Sequence, residues 1–131
     1  MLINLDLESD IPIYTQLKNQ IIEGIARKAL RPGDDLPSVR GLASDLGINL
    51  HTVNKAYQQL KREGFILIHR QKGVVINPSG VPPADDEFNR RLEATLRPLV
   101  AEAVCRGITE NEWARLSAEL FNTISSVEEE K

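Results

Sequence analysis

Residues 36–64 read LPSVRGLASDLGINLHTVNKAYQQLKREG, and this stretch decides the fold. Ser38 is a helix-capping residue, apolar side chains follow it at helical spacing, and Gly47 suits the left-handed residue that ends such a helix. Asn49 then caps a second helix with the same apolar spacing, which ends at Gly64. Two short helices joined by a turn that contains glycine predict a helix-turn-helix.

The flanking segments complete this motif. An apolar stripe at helical spacing predicts an earlier helix, which Asp10 caps and which stops before the Pro-Gly turn at 32–33. Residues 65–68 and 74–76 are rich in β-forming side chains and enclose the polar tip 69–73, which predicts a β-hairpin. The order helix, helix, helix, hairpin is that of a winged helix-turn-helix.

A helical tail follows a proline-rich linker. Gly107 separates two apolar stripes at helical spacing, and Thr109 with Glu112 forms the capping box that begins the second helix. Pro98 lies inside the first stripe and predicts a kink or a split of that helix. The expected apolar surface of the tail consists of Phe88, Leu92, Leu96, Leu99, Trp113, Leu116, Leu120 and Ile124.

Such a two-helix hairpin has no interior of its own, so its apolar side chains must be buried elsewhere. Burial of one Leu-sized side chain stabilises by about 1.5–3 kcal/mol. The hairpin either folds back onto the first domain or pairs with the same hairpin of a second chain, and the linker favours pairing. The expected fold is α+β, with a winged helix-turn-helix at 1–78, a linker at 79–83 and a helical dimerisation hairpin at 84–131.

The charge of the chain is unevenly distributed. The 131 residues carry a formal net charge of −3. Residues 1–78 hold ten Lys or Arg against eight Asp or Glu, a net +2, whereas residues 79–131 hold six against eleven, a net −5. Charges act over roughly 8–10 Å at ordinary salt, so a local basic surface on the first domain suffices for phosphate contacts.

Several classes of protein are excluded by composition. A single cysteine, Cys105, forms neither an intrachain disulfide nor a cysteine metal cluster. No apolar run approaches the roughly 20 residues that cross a bilayer, and the first residues do not read as a secretory signal. Metal-ligand spacings, phosphate-binding glycine loops and nucleophile motifs are not found in the sequence. We therefore expect a cytoplasmic protein with no enzymatic activity, catalytic residue, metal, cofactor or membrane association.

The predicted contacts with double-stranded DNA lie on three elements. In a helix-turn-helix, the early residues of the second helix reach base edges in the major groove. Asn54 suits adenine, Thr52 a thymine methyl or a phosphate, and Lys55 a phosphate. Arg40 either bridges a phosphate, reaches a guanine, or forms a surface ion pair with Asp45 or Glu63. The full predicted set is Ser38, Arg40, His51, Thr52, Asn54, Lys55, Arg70, Gln71, Lys72 and Gly73.

The chain resembles the DNA-binding domain of GntR-family bacterial transcription regulators. The resemblance rests on Pro12-Ile13-Tyr14-x-Gln16, Leu30-x-Pro32-Gly33-Asp34-x-Leu36-Pro37-Ser38-x-Arg40-x-Leu42-Ala43 and Leu46-Gly47-Ile48-Asn49-x-x-Thr52-Val53-x-Lys55-Ala56-Tyr57-x-x-Leu60-x-x-Glu63-Gly64. The short helical tail is similar to the YtrA-like subfamily. This resemblance implies a homodimer that binds a palindromic operator, usually as a repressor, and commonly of a transporter operon.

Individual family positions carry over unevenly. Arg40 matches the family's arginine of the first motif helix, and Thr52 matches its recognition-helix threonine. Leu50 stands where many members have an arginine, and Gln71 stands at the first glycine position of the usual wing. The base contact that this arginine would make is therefore either missing or made by His51 or Asn54 instead.

Two other functions remain open at this point. The winged helix could be a protein-interaction module whose tail recruits a different partner, but Leu50 alone is apolar on the predicted recognition surface. A small-molecule effector bound between the wing domain and the tail is compatible with DNA binding, and the sequence does not identify one.

Overall fold

The computed structural model describes residues 3–71 and 73–126. They fall into two compact units, the first ending at Pro82 and the second comprising Pro83–Ser126. In the first unit the helices and strands are α1 (Ile13–Ala26), β1 (Asp35–Leu36), α2 (Val39–Leu46), α3 (Leu50–Arg62), β2 (Ile66–His69) and β3 (Gly73–Ile76). The second unit contains α4 (Asp86–Cys105) and α5 (Glu110–Ser125).

The first unit is a winged helix-turn-helix with one closed core. Its antiparallel sheet has the order β1-β3-β2, so Val74 of β3 pairs with Leu36 on one side and Ile68 on the other. Helix α3 packs against α1, α2 and β2, and their apolar side chains form one core with those of β1 and β3. The largest fully buried side chains among the described residues are Leu17, Ile21, Val53, Tyr57, Leu60, Ile66 and Ile76.

The predicted caps of the helix-turn-helix are confirmed. The Ser38 hydroxyl accepts a hydrogen bond from Gly41 N at 3.0 Å, and the Asn49 side chain accepts one from His51 N at 2.8 Å. Gly47 takes a left-handed conformation with φ of 66°. Only Gly47, Ile48 and Asn49 separate α2 from α3, so a three-residue turn connects the two helices.

The prediction that Asp10 caps the first helix is wrong. The helix α1 begins at Ile13, and Pro12 precedes it without a side-chain cap. The segment before α1 is held by Gln16, whose Oε1 accepts from Asp6 N at 2.8 Å and whose Nε2 donates to Ile11 O at 2.8 Å. These bonds fix the approach to the helix, so its start lies after the proline.

The strand β1 was not predicted. Directly after the Pro-Gly turn, Asp35 pairs with Val75 and Leu36 pairs with Val74. Backbone bonds extend the pairing, since Gly33 N donates to Ile76 O at 2.9 Å. This strand attaches the start of α2 to the wing.

The first residues of the linker are attached to the end of α3. The Asn77 side chain donates to Gly64 O at 2.9 Å, and Asn77 N donates to Phe65 O at 3.0 Å. Gly64 has a φ of 86°, and a Cβ there would lie 2.7 Å from Pro82 Cδ. The linker therefore packs against Gly64 as far as Pro82.

The tail consists of two helices that do not pack against each other. No Cα atom of α4 lies within 8 Å of a Cα atom of α5. The capping box is confirmed, because Glu112 N donates to the Thr109 hydroxyl at 3.1 Å and Thr109 N donates to Glu112 Oε1 at 3.2 Å. Each helix thus carries its apolar stripe without cover from the other.

Pro98 does not split the first tail helix. It lies within the continuous helix α4. Proline removes the hydrogen bond to the carbonyl four residues earlier, which belongs to Ala94. Ala94 is exposed, so water can satisfy that carbonyl and the helix continues.

Candidate nucleic-acid interface

The helix α3 has one side in the core and one side in solvent. Val53, Ala56, Tyr57 and Leu60 have no exposed surface. We call the opposite side the outward side of α3; its exposed residues are His51, Asn54, Lys55, Gln58, Lys61 and Arg62. This side carries amide, imidazole and cationic groups, which are the donors and acceptors that read base edges and phosphates.

Tyr57 fixes α3 against the start of α2. Its hydroxyl donates to Pro37 O at 2.8 Å, so the recognition helix is tied to the residue before the Ser38 cap. Burial raises the pKa of Tyr57 well above its usual range, so the hydroxyl stays a donor. The bond holds the two helices of the motif in one geometry.

Arg40 lies exposed in the first turn of α2. The predicted alternative of an ion pair does not form, because Arg40 has no ion-pair partner among the described residues. Glu63, one of the two proposed partners, is instead bonded to Lys18 Nζ at 2.6 Å. The guanidinium of Arg40 therefore remains open to an external anion or base.

The wing places further polar groups at its tip. Arg70 and Gln71 are exposed in the turn after β2. Gly73 has a φ of 79°, and a Cβ there would meet no atom within 4 Å, so the turn requires glycine for its backbone conformation. Lys72, the remaining predicted contact of the wing, lies outside the described residues.

The predicted contacts differ in exposure. Ser38, Arg40, His51, Asn54 and Lys55 are exposed. Thr52 is half-buried, and so is Leu50, which packs against the core. The Ser38 oxygen accepts the hydrogen bond that caps α2, and the O–H of the same hydroxyl remains able to donate.

One residue near the outward side was missed by sequence reasoning. The Nζ of Lys55 lies 3.9 Å from the centroid of the Tyr14 ring on α1. Tyr14 belongs to the apolar stripe of its helix and packs against the core. No local sequence signal joins it to Lys55, because the two side chains meet only through the packing of α1 on α3.

The tail exposes an apolar stripe on each of its two helices. Six of the eight predicted interface residues are 39–54% exposed, and Trp113 and Ile124 are half-buried. The sequence reasoning missed four further apolar residues that are 38–76% exposed: Val100, Val104, Ile108 and Phe121. Val100, Val104 and Phe121 lie on the helices outside the predicted stripes, and Ile108 lies between the two helices, where helical spacing makes no prediction.

Neither a membrane helix nor a metal cluster occurs in the described part of the chain. Across residues 3–71 and 73–126, no helix combines the length and apolar character needed to span a bilayer. Within the same ranges, no three His, Cys, Asp or Glu side chains are placed to hold a metal ion.

Comparison with known proteins gives the family. A family model described as bacterial regulatory proteins of the gntR family matches residues 13–76. The HTH-type transcriptional repressor YtrA of Bacillus subtilis (strain 168) is 35% identical over 107 residues, which are 82% of this chain and 82% of that protein. The chain belongs to the GntR family. It is a DNA-binding transcription regulator and not an enzyme.

Solved structures support the same assignment for this GntR-family chain. The crystal structure of a transcriptional antiterminator from Listeria monocytogenes EGD-e has a TM-score of 0.90 at 26% identity, covering 100% of this chain and 98% of that one. YtrA from Sulfolobus acidocaldarius, a GntR-family transcription factor, has a TM-score of 0.60 at 44% identity, covering 76% of this chain and 99% of that one. The winged helix followed by a helical region is thus a known architecture of GntR regulators.

Proposed function

We propose that the chain is a cytoplasmic, homodimeric repressor that binds an inverted-repeat operator. The observation that carries this proposal is the division of α3 into a fully buried side and a polar, exposed outward side. Each subunit inserts that outward side into a major groove. The twofold symmetry of the dimer then matches the symmetry of the operator.

The outward side of α3 supplies the base contacts. Asn54 accepts and donates through its amide, which suits the bidentate pattern of adenine in the major groove. His51 lies one turn earlier and reaches guanine or adenine acceptors. Thr52 contacts a thymine methyl or a phosphate, and Lys55 contacts a phosphate, which fixes the helix in the groove.

The contacts from α2 and the wing flank this helix. Arg40 reaches a phosphate or a guanine, since it is exposed and has no ion-pair partner in the described part of the chain. Arg70, Gln71 and Gly73 bring the wing to the backbone or the minor groove, and the sequence adds Lys72 to this set. The DNA contacts from α2 and those from the wing together hold α3 in the major groove.

The tail supplies the dimer interface. The apolar stripes of α4 and α5 are exposed in a single chain, and neither helix covers the other. A second copy brings two equivalent stripes to the same place and buries all four, as in a helical bundle. The surface is therefore self-complementary, as a twofold interface requires.

Repression and the regulated genes rest on resemblance. The Bacillus subtilis relative is named a transcriptional repressor, which supports the same direction of control here. The YtrA-like resemblance further points to a transporter operon as the target.

The decisive experiment is footprinting of the DNA upstream of the protein's own gene, followed by mobility-shift titration of the protected duplex. We expect two protected half-sites related by inversion. Arg40→Ala should weaken binding by about 1–3 kcal/mol, because a charged contact is lost. A loss confined to one sequence variant of the operator indicates a guanine contact, and a uniform loss indicates a phosphate contact.

Arg115→Ala is the matched control. Arg115 is an exposed arginine of α5, so its substitution removes the same charge away from the winged helix. Its operator affinity should equal that of the wild type. Equal affinities for Arg40→Ala and the wild type contradict the proposed role of Arg40, and a protein that protects no upstream DNA contradicts the proposed function.

A further inference from the structure

Lys55 lies on the outward side of α3, but its ammonium group is held by a neighbouring helix. Its Nζ is 3.9 Å from the centroid of the Tyr14 ring on α1. A cation within about 6 Å of an aromatic centroid is attracted by the negative face of the ring. The contact therefore fixes the position of a flexible, four-carbon side chain.

This contact is the main interaction of the Lys55 ammonium. Lys55 forms no ion pair with any residue of 3–71 or 73–126. By contrast, Lys18 Nζ of α1 lies 2.6 Å from Glu63 Oε1, at the C-terminal end of α3. No acidic side chain among the described residues therefore balances the charge of Lys55, and the Tyr14 ring only orients its ammonium group.

The ring is a firm support because it is anchored in the fold. Tyr14 is half-buried and packs against the core of the first unit. Its hydroxyl has no hydrogen-bond partner among the described residues, unlike that of Tyr57. The contribution of Tyr14 at this place therefore comes from the ring and not from the hydroxyl.

We propose that Tyr14 is a positioning residue for DNA binding, whose ring holds the Lys55 ammonium where it meets a phosphate. This inference rests on the proposed function, in which Lys55 contacts the backbone. A cation already held in place loses less freedom on binding, so the phosphate contact strengthens. One side of the ammonium faces the ring and the remainder stays open to solvent and to an anion.

The test combines a spectroscopic signature with a double-mutant cycle. In the free protein, the ring current of Tyr14 should shift the Cε protons of Lys55 upfield, and Tyr14→Leu should abolish this shift. Leucine retains an apolar side chain at the half-buried position, and Tyr14→Phe retains the ring. Thermal melting of each variant checks that the fold is kept.

Affinity is measured on a duplex that the wild-type protein selects from a random-sequence pool. Tyr14→Leu should weaken binding by about two- to fivefold, which is the size of an exposed cation–π contact. Tyr14→Phe should bind like the wild type. In the Lys55→Ala background, Tyr14→Leu should cause no further loss, because the two residues act through one contact.

Several outcomes overturn the inference. Tyr14 does not act through Lys55 if Tyr14→Leu lowers the affinity equally with and without Lys55, or if it lowers the affinity in neither background. The same conclusion follows if the upfield shift of the Lys55 Cε protons persists in Tyr14→Leu. If Tyr14→Leu fails to fold, the wild-type spectrum is the test: Lys55 Cε protons without an upfield shift show that the ring does not hold the ammonium group. These results leave the proposed function standing, whereas a wild-type protein that selects no duplex overturns both.

Discussion

The two units of the chain use the same helical pattern with opposite results. Leu60 on α3 has no exposed surface, whereas Leu120 on α5 is 53% exposed, although each belongs to an apolar stripe at helical spacing. In the first unit the stripes of three helices and a sheet meet in one core. In the tail no Cα atom of one helix lies within 8 Å of the other. Amphipathic spacing therefore identifies an apolar side, but the tertiary structure decides what covers it.

This difference separates a self-sufficient unit from one that needs a partner. The first unit buries the apolar side chains of its core without a second chain, although Leu7 and Ile11 stay exposed. The tail leaves Phe88, Leu92 and Leu96 each at least 39% exposed, which is costly for side chains of this size. In the proposed dimer, stability of the first unit depends on its own packing, and stability of the tail depends on protein concentration.

The largest effect is expected from charges placed in the tail stripe. Leu96→Asp together with Leu120→Asp should give a monomer in analytical ultracentrifugation, because buried carboxylates oppose pairing. Operator affinity should fall by about 10²–10⁴-fold, since the two half-sites then bind independently. Leu7→Asp, at a residue of the first unit that is 74% exposed, is the matched control and should stay dimeric. A double variant that remains a tight dimer excludes this surface as the interface.

The next effect compares truncation of a buried and an exposed leucine. Leu60→Ala should lower the free energy of unfolding of the first unit by about 2–5 kcal/mol, because it leaves a cavity in the closed core. Leu116→Ala should leave that transition unchanged and lower only a concentration-dependent transition of the tail. Denaturant unfolding at several protein concentrations distinguishes the two. Equal effects of both substitutions on one transition contradict the division into two kinds of unit.

A smaller effect compares two glycines that end helices. Gly64 and Gly107 both have positive φ, of 86° and 82°, but only Gly64 has a neighbour within 4 Å of an added Cβ. A left-handed alanine costs about 1–2 kcal/mol in each case. Gly64→Ala should destabilise the protein more than Gly107→Ala, because its Cβ would also lie 2.7 Å from Pro82 Cδ and would displace that proline. Thermal melting of the two variants measures the difference, and equal losses contradict a packed linker.

The smallest effect concerns the Tyr57 anchor in the first unit. The pKa of Tyr57 is raised by burial, so the folded state favours the protonated hydroxyl. Its contribution to stability is fully present below the unfolded pKa of about 10 and is lost as pH rises above it. Tyr57→Phe should cost about 0.5–1.5 kcal/mol at neutral pH through the lost bond to Pro37.

Alkaline unfolding curves check this anchor. The wild type should lose stability above pH of about 10, and Tyr57→Phe should lack that component of the loss. Tyr14→Phe removes a hydroxyl that has no partner among the described residues and serves as the control. A wild-type profile identical to that of Tyr57→Phe contradicts the buried donor.

Local signals were sufficient to predict the helix-turn-helix and the wing. Ser38 and Asn49 cap helices by accepting from a backbone N–H two or three residues later, and Gly47 acts through its own backbone conformation. These roles can be predicted from the local sequence. The glycine at the wing tip and the β-forming residues beside it likewise predict a hairpin. Such features need no knowledge of distant parts of the chain.

Other features depend on distant contacts and could not be predicted. Strand β1 exists because Leu36 meets Val74 of the wing, and its two residues carry no strand pattern of their own. The contact of Lys55 with Tyr14 depends on how α1 crosses α3. The continuity of α4 through Pro98 depends on solvent near one carbonyl, which spacing does not reveal.

The packing of the linker against Gly64 has a consequence for the operator. Between the anchored Pro82 and the first residue of α4 stand only Pro83, Ala84 and Asp85. Three residues reach at most about 10 Å. Inserting one base pair between half-sites advances the second site along the duplex and rotates it around the helical axis. In the proposed dimer, a tether this short absorbs little of either change, so we expect spacer length and rotational phasing to be recognition criteria alongside base identity.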